Sequence, residues 1–174
     1  MTSQGVRRQS SGLLAAFQED HAALGKGFHE LSVCLRGDDV VGARRVAGFL
    51  DKAAGAHIAF EEADFYPRLE DLIGEDDVRK MYADHADALD MIELLAKLAH
   101  DRPLPEEERR RLVAQSEAME GHIAECGALF EAMGRIPEDE QDALCRRLLE
   151  WRRKAPTWRG YAAEGPSRRR PRSE

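Results

Sequence analysis

Four histidines of this chain fall into a repeated pattern. Asp20-His21-Ala22 returns as Asp84-His85-Ala86, and His57-Ile58-Ala59 returns as His122-Ile123-Ala124, with Phe65 and Phe130 each eight positions on. His21 to His57 and His85 to His122 span 36 and 37 residues. A neutral imidazole offers one lone pair, and several converging on one point are a metal site's natural donors. Glu61 stands four positions after His57 and on a helix shares its face, which adds a carboxylate able to bind or bridge two cations. Other chemistries lack residues: there is no Gly-rich phosphate loop, serine triad arrangement or zinc-finger spacing.

Such residues need helices to hold them, and the apolar spacing supplies these. Leu14, Phe17, His21, Leu24, Phe28, Leu31 and Leu35 alternate in steps of three and four, predicting a first helix over about 13–35. Gly37, Asp38 and Asp39 supply a stop and a new start. A second helix carries Ala43, Val46, Leu50, Ala53, His57, Phe60 or Glu61, and Asp64, with Pro67 expected to end or kink it. After Gly74, a third over about 77–100 aligns Val78, Met81, His85, Ala88, Ile92, Leu95 and Ala99. Pro103 and Pro105 precede a fourth over about 106–133, with Leu112, Gln115, Met119, His122, Cys126, Leu129 and Met133 in line. The expectation is an all-α, up-down-up-down antiparallel four-helix bundle over 13–134 with a pseudo-twofold axis. A short amphipathic fifth helix over 137–154 lies across it, and 155–174 forms a disordered basic tail.

A rise of ~1.5 Å per residue places His21 and His85 roughly 12 Å from one end of the bundle, and His57 and His122 roughly 14 to 18 Å from that same end. All four lie in one inward layer. Buried imidazoles without partners cost about 1 to 3 kcal/mol apiece, and a metal removes that cost. Imidazole with carboxylate selects iron ahead of zinc or manganese. The non-metal reading has the histidines hydrogen-bonded to Asp20, Asp64, Asp84 and each other. His29 and His100 fall off the layer and read as surface residues. Tyr82, three positions before His85, reads as a boundary tyrosine that can approach the site.

Composition agrees with a helical protein: 43% of the 174 residues are hydrophobic, 34% charged and only 6% aromatic, which disfavours a β-sandwich. Residues 151–174 hold eight Arg or Lys and two Glu, a net +6; against −7 for the whole chain, the first 150 residues carry −13. An acidic body argues against a nucleic-acid-binding core, and only the basic tail is suited to touch such a partner. No apolar run reaches the ~18 residues of a membrane span, and the N-terminus lacks a signal-peptide pattern. Cys34, Cys126 and Cys145 are odd in number and widely spaced, as thiols of a reducing compartment are. The expected location is cytoplasmic.

The order His, H-x-x-x-E, His, H-x-x-x-E over residues 13–134 resembles the hemerythrin-like, or HHE cation-binding, family. His21, His57 with Glu61, His85 and His122 match its motif. The resemblance implies a four-helix bundle around a non-heme di-iron centre, and binding of dioxygen or nitric oxide for sensing, storage or protection. It equally admits an enzyme acting on peroxide or nitric oxide. The departure is at His122-Ile123-Ala124-Glu125-Cys126, where the family's second bridging glutamate position holds Cys126 and Glu125 stands one residue early. Three assignments compete: Glu125 as ligand, Cys126 as thiolate ligand favouring zinc or mixed-ligand iron, or a vacant position leaving one metal ion or an asymmetric pair. The last also suits a structural or regulatory module with a degenerate site.

Overall fold

The computed structural model describes residues 11–99, 102–125 and 127–164, and among them there is no strand. Helix α1 spans Ser11–Arg36 and α2 spans Val40–Phe60; a π-helical turn, Glu61–Phe65, then leads into α3, Tyr66–Ile73. Helices α4 (Glu75–Lys97), α5 (Glu106–Ala124), α6 (Gly127–Gly134), α7 (Glu138–Lys154) and α8 (Trp158–Glu164) follow. The long helices pack in the cyclic order α1, α2, α4, α5, which closes the four-helix bundle. Among the described residues no helix is long and apolar enough to cross a membrane.

The turns follow from local chemistry. Asp38, rather than Gly37, takes the left-handed conformation (φ 57°) between α1 and α2, and Asp39 caps α2 by accepting the Gly42 N–H at 2.8 Å. Gly74 separates α3 from α4 at φ 98°, a backbone setting that suits glycine. Glu106–Glu108 and Glu138–Glu140 open α5 and α7, where negative charge meets the positive end of the helix dipole.

Three expectations change. The second helix does not end at Pro67: the proline lies in the first turn of α3, just past the π turn. A residue without an N–H is tolerated where the hydrogen-bond ladder is already changing step. The fourth helix is not continuous over 106–133: α5 ends at Ala124, and Glu125 leaves helical geometry with ψ near 1°. The segment 155–164 is not disordered, since Trp158, Tyr161 and Ala162 of α8 are buried. Cys126, His100 and residues 165–174 of the basic tail lie outside the described residues.

The core stripe also drifts by one position, with Leu13, Ala54 and Ser116 buried instead of Leu14, Ala53 and Gln115. A straight helix of 3.6 residues per turn slips against a strict 3.5 repeat. The buried side chains form two apolar clusters. One contains Phe28, Leu50, Ile58, Ile92 and Leu112; the other contains Phe17, Phe60, Phe65, Leu69 and Leu129. The histidine layer lies where one gives way to the other.

Candidate metal centre

Each bundle helix delivers one histidine, and all four are buried. Each ring has its Nδ1 engaged by an oxygen. His21 donates its Nδ1–H to the Phe17 carbonyl at 2.8 Å. Nδ1 of His57 is 3.2 Å from Asp20 Oδ2, Nδ1 of His85 is 3.1 Å from Glu62 Oε1, and Nδ1 of His122 is 3.0 Å from Asp84 Oδ2. Oxygens in these places orient the rings and set their tautomers, the support that metal-binding histidines receive. The repeated Asp-His pair thus serves neighbouring helices: Asp20 and Asp84 each hold the histidine of the helix that follows in the bundle.

Glu61 lies between two pairs of rings. Its Oε1 stands 3.3 Å from His57 Nε2 and 4.0 Å from His21 Nε2, while Oε2 stands 3.3 Å from His85 Nε2. The His21 and His57 ring centres are 4.6 Å apart, and those of His85 and His122 are 5.1 Å apart. The ligand atoms of His21, His57 and Glu61 all lie within 4.8 Å of one another.

The residues fit a cation. Glu61 Oε1 is buried and accepts no hydrogen bond. With Nδ1–H of His57 turned to Asp20, its Nε2 lone pair faces that carboxylate, an arrangement that calls for a positive charge between them. A proton can supply it: burial pushes His57 down, but Glu61 and Asp20 together raise it to about 9. Burial likewise opposes charging of His85, and Glu61 with Glu62 raises it to about 9. Burial holds His21 at about 4, helped by the adjacent His57. Burial raises Glu61, and His57 and His85 outweigh it, so the carboxylate stays well below its usual range. A bound cation takes the place of those protons.

The other sequence candidates fall elsewhere. Glu125 is exposed at the end of α5, 3.6 Å from Lys80, and the structure does not bring it into the buried cluster. It lines a cleft of about 390 Å³ with Lys80, Met81, Asp84, Leu129 and His122. His29 is two-thirds exposed and pairs with Glu120. Tyr82 donates its O–H to the Glu62 carbonyl at 2.9 Å and braces the π turn from outside the layer.

Two residues at the layer escaped the periodicity. Glu62 is the Nδ1 partner of His85, and the buried Tyr66 places its hydroxyl 3.1 Å from His85 Nε2. Regular α-helical spacing points Glu62 about 140° away from His57, and there its carboxylate meets His85 of the neighbouring helix α4. The available signal was Pro67 five positions after Glu62, and it does not by itself specify a π turn.

An antiparallel four-helix bundle with one histidine per helix and a carboxylate between them defines a cation-binding helical domain. The chain belongs to the hemerythrin family: residues 12–125, well over half of its length, match the Hemerythrin HHE cation binding domain. Neither the curated proteins nor the solved structures contain a match.

Proposed function

We propose that this protein holds a non-heme iron centre of two irons and uses it to bind dioxygen or nitric oxide for sensing, storage or protection. The supporting observation is Glu61, whose two oxygens face different histidine pairs, with His21 and His57 on one side and His85 on the other. His21, His57, His85 and His122 would hold the metal with Glu61, in a cytoplasmic protein. Iron so held supplies open coordination positions to a small ligand, since these donors do not saturate two six-coordinate ions. The chain's own part is to orient the imidazoles through Phe17, Asp20, Glu62 and Asp84, and to surround them with apolar side chains. The cleft bordered by Lys80, Met81, Asp84, His122, Glu125 and Leu129 would be the route for a small ligand.

Metal content per chain and the electronic spectrum of iron-loaded protein test this reading. Two irons per chain and a spectral change of the ferrous protein on exposure to either gas are expected. No bound iron, or no response to either gas, overturns it. Turnover of peroxide or nitric oxide, lost in His57→Ala, would make the protein an enzyme on the same centre.

A further inference from the structure

We infer that Tyr66 is an iron ligand, supplying a phenolate to the His85 side of the centre in the role that a second carboxylate would fill. This rests on the reading of the site as an iron centre and adds a donor outside the His and Glu motif.

Three observations carry it. The Tyr66 hydroxyl lies 3.1 Å from Nε2 of His85, on the same nitrogen that Glu61 Oε2 approaches at 3.3 Å, while Nδ1 is occupied by Glu62. Two donors bound to one ion at about 2.1 Å and at right angles stand about 3 Å apart, so the hydroxyl and Glu61 Oε2 each stand from His85 Nε2 at the spacing of two ligands of one ion. The ring is fully buried and stacked on His85, with centres 5.4 Å apart at 29°, and Tyr82 packs against it edge-on.

The second observation is the π turn. On a regular α-helix Phe65 follows Glu61 by one turn and would occupy this place. The wide turn closes instead with the Tyr66 N–H donating to the Glu61 carbonyl, five residues back. One inserted residue therefore exchanges a phenyl ring for a phenol at the layer. π turns of this kind occur at functional sites.

The third is charge. Four imidazoles and Glu61 bring one negative charge to a centre of two cations, and four positions after His122 the sequence has Cys126 and no carboxylate. A phenolate adds the second negative charge, and tyrosine is an established iron donor in other proteins. Binding breaks the phenol O–H; the oxygen gives its electron pair to iron, the proton leaves to solvent, and the iron oxidation state is unchanged.

The test uses the full chain loaded with iron and oxidised to the ferric form, comparing wild type, Tyr66→Phe, Tyr82→Phe and Cys126→Ala. Iron content is measured together with the visible spectrum and resonance Raman scattering. The expected wild type shows a visible charge-transfer band that enhances phenolate ring vibrations. That band is lost in Tyr66→Phe, which still binds iron, and persists in Tyr82→Phe and Cys126→Ala. Iron uptake without phenolate vibrations in wild type, or their survival in Tyr66→Phe, overturns the assignment and leaves the iron centre standing. No iron uptake by wild type overturns the iron centre and this ligand with it. The wild-type Raman spectrum decides the matter even if Tyr66→Phe fails to fold.

Discussion

Asp20 Oδ2 stands 3.2 Å from Nδ1 of His57, a residue 37 positions later and on the next helix. The other oxygen of Asp20 accepts from the Arg152 guanidinium of α7 at 2.7 Å, and the same Arg152 nitrogen donates to the Ala16 carbonyl at 3.1 Å. The carboxylate is thereby held from behind, and it in turn sets the direction of the His57 ring. Burial raises Asp20, but His57 and Arg152 together lower it, so it stays ionised to do this. Asp20→Ala should weaken metal binding by about 10- to 100-fold, the usual cost of losing such a partner. Competition with a chromophoric chelator reads this directly, and an unchanged affinity would show that Asp20 does not orient a ligand.

Glu61 carries the larger consequence because its two oxygens face His21 and His57 on one side and His85 on the other. Glu61→Gln keeps the volume and removes the charge. Wild-type protein in metal at a thousandfold excess over its dissociation constant gains about 4 kcal/mol of stability. At about 2 to 4 °C per kcal/mol for a chain of this size, chelation should lower its Tm by roughly 10 °C. In Glu61→Gln the chelator should change Tm little. Equal chelator sensitivity in both proteins would contradict a metal held through Glu61.

Without metal, stability should depend on pH in a defined direction. His57 and His85 are raised from 6.5 to about 9 in the folded chain, so their contribution is complete below about pH 6.5 and is lost as pH rises through 9. His21 is held at about 4 against the same 6.5 unfolded, so stability is also lost as pH falls from 6.5 toward 4. Glu61 works in that acid direction too, since its depressed value gives stability above about 4.5 that protonation removes. Urea unfolding of chelator-treated protein should therefore show a maximum near neutral pH. The alkaline limb should flatten with metal bound, because the ion replaces the protons; an alkaline limb unchanged by metal would speak against that exchange.

The C-terminal helix is tied down at two points. Asp51 is buried and accepts the Arg159 backbone N–H at 2.9 Å and its side-chain Nε at 3.0 Å. A Cβ at Gly55 would lie 1.9 Å from the Pro156 carbonyl oxygen, so the chain crosses α2 only where that residue is glycine. Gly55→Ala should cost about 1 to 3 kcal/mol as an overpacking change, or release the 155–164 segment. Trypsin separates the two, since release accelerates cleavage after Arg153 and Lys154. Trp158 packs 6.1 Å from His85, so its fluorescence reports the same event.

The legible part of the site consisted of residues on regular helical spacing. His21, His57, Glu61, His85 and His122 each sit on an apolar stripe, and stripes point inward whatever the details of the fold. Tyr66 was out of reach because five π-helical residues shift the face presented after Glu61, and Glu62 because only the packing of α4 brings His85 to it. Glu125 was a reasonable candidate by spacing, yet the chain leaves helical geometry at that residue and its side chain turns to Lys80. Helix α8 was hidden by a basic composition that reads as tail, although Trp158 and Tyr161 are the apolar residues that dock it.

By itself the amino-acid sequence determined the helical class, the pairing of the two halves and the layer of four histidines, because side-chain periodicity and chain length act locally and additively. Tertiary structure alone decided which oxygen holds which imidazole, where the π turn falls and which tyrosine meets His85. Apart from the Phe17 carbonyl on His21 and the π turn itself, those relationships join residues 19 to 38 positions apart in sequence. They depend on angstrom-scale register between helices, which packing sets and local propensity does not.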